Sequence, residues 1–162
     1  MRKKLQRKVT EEKPSYSREE IQWLLEHLGD PSPEIRDELV FTSLARGIQE
    51  ELFSLEQFQF ISEEVSSDEG LYKEIDSRGV SALKRSFRAL IYANLLSADG
   101  NEHSLFYKGL KADIRNAMLS QGLYYLKKRK GYDRFFKSVW LGLRFCAWSG
   151  SLDGSDLSSR FS

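Results

Sequence analysis

Hydrophobic positions recur at helical spacing along most of the chain, and helix-start signals precede several of these runs. Ser17-Arg18-Glu19-Glu20 has the form of a capping box, in which the Ser hydroxyl and the Glu carboxylate satisfy backbone donors at a helix start. An apolar stripe follows at Ile21, Leu24, Leu25 and Leu28. We expect Gly29 to end this first helix in the left-handed conformation.

The next segment, DPSPEIR, predicts a sharp corner. Asp30 and Pro31 are expected to form a turn, after which Ser32 caps a second helix and Pro33 occupies its first turn, where no backbone donor is missed. The corner would join two antiparallel helices. Arg36 is expected to pair there with Asp30 or another acid as a structural tie.

The second helix is predicted over about 33–50, with a broad apolar face that suits packing on more than one neighbour. A second capping box, Ser54-Leu55-Glu56-Gln57, opens a helix that carries Phe58, Ile61 and Val65. The two boxes start 37 residues apart, within the period range of paired-helix solenoids.

Three further helices are predicted: one with Val80, Leu83, Phe87, Leu90, Ile91 and Leu95, one over about 105–129, and one over about 132–148. No strand pattern is convincing. The sequence therefore predicts an all-α chain of about six helices, an irregular HEAT-like superhelix over 17–148. A compact, non-repeating bundle is the alternative. Residues 1–16 are expected to form a flexible basic arm, and the Ser/Gly-rich residues 149–162 a disordered tail.

Two stretches carry a family resemblance: LLEHLGDPSPEIRDELVFTSLARGI and LYKEIDSRGVSALKRSFRALIYANLL. They resemble an uncharacterised bacterial family known as domain of unknown function 2785, in which an I-R-D helix start precedes an R-S-F helix. Ile35-Arg36-Asp37 and Arg85-Ser86-Phe87 match these motifs. The resemblance covers about 21–132 and implies no assigned reaction.

The C-terminal sequence departs from that family, whose members continue with a histidine-bearing helix similar to GWAHAVAHTADLL. A shift of one base would turn the codons of Trp140 and Trp148 into glycine codons, and one permitted translation is GLAYAFAHGADLL. We therefore expect a frameshift near Arg134, leaving the chain truncated relative to the family. Trp140, Phe145 and Trp148 would then form an uncovered aromatic surface that favours self-association.

Charge is distributed unevenly along the 162 residues, although the formal net charge is only +1. From Ser17 to Arg78 there are 5 basic and 16 acidic residues, and from Gly79 to Arg144 there are 13 basic and 4 acidic ones. The two halves attract each other within the fold, or each simply carries a solvent-exposed charged face, or the basic half meets an acidic partner such as nucleic acid.

No apolar run approaches the length of a membrane span, and no apolar run follows the basic N-terminus, so no secretory signal is indicated. A cytoplasmic location is expected. His27 and His103 lack companions at metal-ligand spacing, and Cys146, the single cysteine, lacks an identifiable base. We predict no catalytic residue, no metal and no cofactor.

A binding surface is predicted instead. In paired-helix solenoids the second helices line the concave face, which would place four arginines near one another: Arg36, Arg46, Arg85 and Arg88. Trp23 points away from the apolar stripe of its helix. It either packs against the N-terminal arm, for instance on Tyr16, or anchors a partner.

Three functions remain open at this point. The first is a non-enzymatic scaffold that binds a protein or peptide. The second is a nucleic-acid binder that uses basic residues of the second half: Lys84, Arg85, Arg88, Lys111, Arg115 and Lys127–Lys130. The third is an inactive, truncated version of an enzyme whose histidines lay in the missing C-terminal helix.

Overall fold

The structure is a computed structural model that describes residues 1–67, 71 and 79–128. Every regular element in these ranges is helical, which confirms the all-α prediction. The helices are α1 (Arg2–Val9), α2 (Arg18–Glu26), a π-helical segment (Glu34–Phe41) that runs directly into α3 (Thr42–Gln49), α4 (Leu55–Ser66), α5 (Val80–Gly100) and α6 (Ala112–Lys128). With the π segment and α3 taken as one helix, six helices are described.

The helices after α1 pack in two rows. Helix α4 contacts α2 on one side and α6 on the other, while α3 contacts α5 in the second row. Contacts of α2 with α3, and of α5 with both α4 and α6, join the rows. The core lies between them and includes the fully buried Ile21, Leu24, Leu44, Ile48, Phe58, Ile61, Ile91, Tyr92 and Leu95. Burial of these apolar faces is the main force that holds the helices together.

Both predicted capping boxes are present. The amide of Glu20 donates to Ser17 Oγ (3.3 Å), and the Ser17 amide donates to Glu20 Oε2 (2.7 Å). The amide of Gln57 donates to Ser54 Oγ (3.2 Å), and the Ser54 amide donates to Gln57 Oε1 (3.0 Å). These reciprocal bonds explain why α2 and α4 begin where the sequence predicts.

The prediction for Gly29 was wrong. Helix α2 ends at Glu26, and the positive-φ glycine of the described residues is Gly79 rather than Gly29. A Cβ atom on Gly29 would instead lie 2.6 Å from Cβ of Lys84 in α5. Glycine is therefore needed at this position so that α5 can approach closely.

The corner that follows is built around Asp30. Its carboxylate accepts a hydrogen bond from the Ser32 amide (2.9 Å), and its carbonyl accepts one from Arg36 Nη1 (3.2 Å). The predicted capping by the Ser32 side chain is absent, because Pro33 stands at the N-cap and makes no side-chain cap bond. Asp30 thus fixes the turn between Pro31 and Pro33.

The N-terminal segment was expected to be a flexible arm, whereas the structure has a packed helix there. Residues 2–9 form α1, which contacts the π segment, and Leu5 is completely buried. A single leucine among basic residues gives almost no periodic signal in the sequence. Burial of Leu5 holds α1 in place, together with polar contacts from Glu20 and Arg46, which lie later in the chain.

The last described helix begins later than predicted. Helix α5 continues through Ser97–Gly100, residues 101–111 form turns, and α6 starts at Ala112 instead of near Leu105. Hydrogen bonds of Asp99 to the Leu110 amide and to Arg115 hold the turn segment in place. The helix predicted at 132–148 and the tail at 149–162 lie outside the described residues.

Candidate functional site

Three exposed apolar side chains lie where the α3–α4 loop meets the α5–α6 loop. Leu105 is 73% exposed, Leu55 is 48% exposed and Tyr107 is 37% exposed. The amide of Leu105 donates to Glu51 Oε1 (2.8 Å), and a Cβ on Gly109 would lie 2.9 Å from Leu55 Cδ1, so the two loops touch. We call the surface formed by Leu55, Leu105 and Tyr107 the loop surface.

The first of these loops contains a strained residue. Helix α3 ends in a Schellman arrangement, in which the Leu52 amide bonds the Gly47 carbonyl (3.0 Å) and the Glu51 amide bonds the Ile48 carbonyl (3.4 Å). The residue in the left-handed position is Glu51, with φ of 57°, where glycine is the usual choice. Glu51 adopts this unfavourable backbone conformation, and its carboxylate accepts the hydrogen bond from the Leu105 amide.

The second loop contains another strained residue. Lys108 has φ of 54°, and its amide donates to the carbonyl of Asp99 at the end of α5 (2.8 Å). Its ammonium group lies 4.9 Å from the ring centroid of Tyr107, within cation–π range. Positive φ at a non-glycine residue is uncommon, and both instances in the described residues adjoin the loop surface.

Buried polar contacts fix the second loop from below. Asp99, almost fully buried, accepts hydrogen bonds from the Leu110 amide (2.8 Å) and from Arg115 Nε and Nη2 (2.5 and 2.8 Å). Arg115 also donates to the Leu110 carbonyl (3.0 Å), and its hydrogen bonds with Asp99 raise the pKa of its guanidinium group. A two-pronged pair of this kind fixes orientation as well as distance.

Aromatic stacking adds a third anchor. Phe106, between the exposed Leu105 and Tyr107, is buried and stacks on Phe58 of α4 with ring centroids 4.3 Å apart and planes 2° apart. Gln59 Nε2 on the same helix donates to the Gly109 carbonyl (3.0 Å). The loop surface is therefore held by α4, α5 and α6 together.

The exposed part of the loop surface is mainly apolar. His103, on the same loop, is exposed, and the described residues contain no group of three His, Cys, Asp or Glu side chains that could hold a metal ion. What the loop surface offers is apolar area on a rigid backbone. Such area is typical of the centre of a protein–protein contact.

The four predicted arginines occupy different environments. Arg36 forms a two-pronged pair with Asp37 (2.7 and 3.1 Å) and lies over the Phe87 ring at 5.2 Å, so it ties the corner to α5. Arg46 pairs with Glu50 and binds main-chain carbonyls of the N-terminal segment. Arg85 is buried, only 4% exposed, and Arg88 is half-buried. Arg36 and Arg46 are thus bound within the fold, and a binding surface that includes all four arginines stays a prediction.

Trp23 is half-buried and stacks on His27, with ring centroids 3.8 Å apart. The His27 Nδ1 atom lies 2.8 Å from the Trp23 carbonyl oxygen, so His27 is used in packing its own helix. Tyr16, the partner suggested for Trp23 by the sequence, is buried against Phe53 instead (5.4 Å between centroids). Trp23 therefore stacks on His27 at the end of its own helix and packs, partly buried, against the hydrophobic core.

Several basic residues of the second half are already engaged. Lys111 pairs with Glu63 of α4 at 2.5 Å, and Arg115 pairs with the buried Asp99. The Cβ atom of Lys84 lies next to Gly29, 2.6 Å from where a Cβ atom on that glycine would be. The side chains of Lys127–Lys130, Trp140, Phe145, Cys146 and Trp148 lie outside the described ones.

Sequence reasoning missed Glu51, Leu105 and Tyr107. It placed Leu105 at the start of a helix predicted over about 105–129. The preceding ADGNEHS stretch favours turns rather than a helix start, since Asn and Ser side chains accept hydrogen bonds from backbone amides two residues later. The structure has such turns: His103 donates its amide to Asn101 Oδ1 (3.1 Å), and Phe106 donates its amide to Ser104 Oγ (3.1 Å).

No family model matches the chain, and no curated protein or solved structure is significantly similar to it. In the described ranges, none of the helices combines the length and the apolar character that crossing a membrane requires. Any function must therefore be argued from the chain's own geometry.

Proposed function

We propose that this protein is a non-catalytic helical scaffold that binds a protein partner through the loop surface. The observation that carries the proposal is the exposure of Leu55, Leu105 and Tyr107 on loops with two strained, firmly held residues. Strained backbone persists only where surrounding contacts impose it, and it concentrates at functional sites. Here the contacts impose a fixed display of apolar side chains.

A rigid arrangement of the exposed side chains favours binding, because less conformational entropy is lost when a partner binds. A partner that meets a mobile loop must offset the entropy of ordering it, whereas a loop already anchored by Asp99, Phe106 and Glu51 loses little on binding. Tyrosine contributes a large contact area with few rotatable bonds, and such residues dominate binding energy at interfaces. Tyr107 and Leu105 are the expected anchors.

The wider architecture is part of the proposal. The alternation of α2, α4 and α6 in one row with α3 and α5 in the other supports a HEAT-like superhelix, and we further propose membership in the bacterial family resembled by the sequence and a cytoplasmic location. The proposed frameshift after about Arg134 is tested separately, by the nucleotide sequence of the gene.

The binding proposal is tested by site-specific photo-crosslinking in the native host. A photoreactive phenylalanine analogue replaces Tyr107 in one variant and Tyr124, a tyrosine of similar exposure (40%) on α6, in the matched control. We expect a discrete protein adduct at position 107 that is absent at 124. Leu105→Asp should abolish the adduct, while thermal unfolding stays within about 0.5 kcal/mol of the wild type because the side chain is exposed.

Equal adducts at both positions, or an adduct that survives Leu105→Asp, would contradict the proposal. Nucleic-acid binding is the competing function, and it predicts binding of DNA or RNA that falls steeply as salt rises. The pairs of Lys111 with Glu63 and of Arg115 with Asp99 reduce the basic surface available for it. Fluorescence anisotropy with labelled oligonucleotides at low and physiological salt distinguishes the two functions.

A further inference from the structure

Helix α1 has properties of a bound ligand. It has eight residues, five of them basic: Arg2, Lys3, Lys4, Arg7 and Lys8. A helix this short is unstable alone in water, and like charges one turn apart destabilise it further. The rest of the protein must therefore supply the interactions that keep α1 helical.

One side of α1 meets a buried carboxylate and the core. Lys4 and Lys8, one turn apart, reach Glu20 Oε1 and Oε2 at 2.9 and 2.7 Å, and Leu5 beside them is completely buried. Glu20 itself is only 1% exposed. Burial alone would raise the pKa of its carboxyl group, but hydrogen bonds from Lys8, the Ser17 amide and Lys4 outweigh burial and lower the pKa to about 2.

The C-terminal end of α1 is held by its main chain. Arg46 Nη1 donates to the Val9 carbonyl (2.7 Å), and the same guanidinium group reaches the carbonyls of Glu11 and Glu12 (3.4 Å each). A cation at a helix C-terminus complements the helix dipole. Glu50 orients the guanidinium group through two hydrogen bonds of 2.8 Å.

We propose that the surface covered by α1 is a binding site for a cationic amphipathic helix of a partner protein, with the spacing Lys-Leu-x-x-Lys, and that α1 is its internal occupant. The ligand is defined by the interactions that this surface offers. The buried carboxylate of Glu20 pairs with two lysines, the hydrophobic core receives one leucine, and the Arg46 guanidinium group donates hydrogen bonds to carbonyls at the C-terminal end of the helix. This site is independent of the loop surface and of its proposed partner.

Exchange is feasible because α1 has few apolar contacts with the rest of the fold. Leu5 is its one fully buried side chain, Val9 packs partly buried against the core, and the exposed residues are Arg2, Lys3, Lys4, Gln6 and Arg7. Terminal elements with little buried apolar surface open at a lower free energy than the whole protein. When α1 leaves, Glu20 loses both lysines but keeps the Ser17 amide, so a cationic helix is still favoured there.

The test measures amide hydrogen exchange of α1 in the isotope-labelled 162-residue protein by NMR, with and without an unlabelled peptide of residues 1–13. A peptide that binds the opened site raises exchange of the α1 amides by the factor 1 + [peptide]/Kd, so about tenfold when the peptide exceeds its Kd about ninefold. The control peptide carries Lys4→Glu and Lys8→Glu. We expect acceleration by the native peptide, none by the control, and none in the amides of α5 with either.

Three results would overturn the proposal. The first is equal exchange with the native and control peptides. The second is exchange of α1 only through global unfolding, which the urea dependence of the exchange rates reveals. The third is a dimer in sedimentation experiments that exchanges α1 between labelled copies, because the occupant would then be a second copy rather than a partner. Glu20→Gln supplies a further check, since it should reduce the acceleration by the native peptide at least threefold.

Discussion

Replacing Glu20 with glutamine removes a buried carboxylate on which the docking of α1 depends. In the wild type this group binds Lys4 at 2.9 Å, Lys8 at 2.7 Å and the Ser17 amide at 2.7 Å. Glutamine keeps the size of the side chain and can still accept from Ser17. It cannot attract the two ammonium groups.

The magnitude follows from the pKa of Glu20, which is lowered from 4.5 to about 2 in the folded protein. A lowered pKa means that the unfolded state binds the proton more readily, so the stabilisation is complete above pH 4.5 and is lost as pH falls through about 2. The difference corresponds to roughly 3 kcal/mol of folding free energy.

Urea unfolding followed by circular dichroism at several pH values between 7 and 2 measures this contribution. Glu20→Gln should be less stable than the wild type by roughly 3 kcal/mol at pH 7, and the two proteins should converge near pH 2. The control is Glu19→Gln, which removes the neighbouring, exposed carboxylate of the same helix and should change the pH dependence much less. A stability difference for Glu20→Gln that does not vary with pH would refute the reasoning.

Gly47→Ala should cost about 1–3 kcal/mol, because its Cβ would lie 2.1 Å from the Phe53 ring, and adding Phe53→Leu should recover part of the loss in urea unfolding. Glu51→Ala should be about 1 kcal/mol less stable than Glu51→Gly, because only glycine relieves the positive φ; the reverse order in thermal unfolding would contradict this. Asp99→Asn should lower the free energy of unfolding by about 3–5 kcal/mol, because it leaves Arg115 without its carboxylate partner. The double variant Asp99→Asn with Arg115→Met should be destabilised less, and additive losses of the two single changes in urea unfolding would contradict the coupling.

Local signals in the sequence predicted the helices well where each signal has one structural meaning. The boxes at Ser17 and Ser54 specify hydrogen bonds within four residues, so the starts of α2 and α4 required no knowledge of the rest of the chain. Gly29 shows the limit of such reasoning. Glycine serves both positive φ and close approach, and only the position of Lys84 in α5 decides between them.

The candidate sites could not be predicted from the sequence, because they depend on contacts between residues that lie far apart in the chain. The backbone of Leu105 is held by a hydrogen bond from its amide to Glu51, a residue more than fifty positions earlier. Arg46 was predicted to be part of a binding surface, whereas its partners at Val9 and Glu11 lie in a segment that composition alone marks as a flexible arm. Apolar periodicity cannot reveal contacts of this polar kind.

The placement of α1 also changes how the charge asymmetry is understood. The sequence offered two explanations for the acidic stretch 17–78: attraction to the basic second half, or an exposed surface. In the described residues Lys111–Glu63 joins the two halves, but the most buried acid, Glu20, is neutralised by the N-terminal helix. Since buried charges require close partners, whatever occupies the place of α1 must carry positive charge. Glu20 therefore sets the charge of the element that covers it.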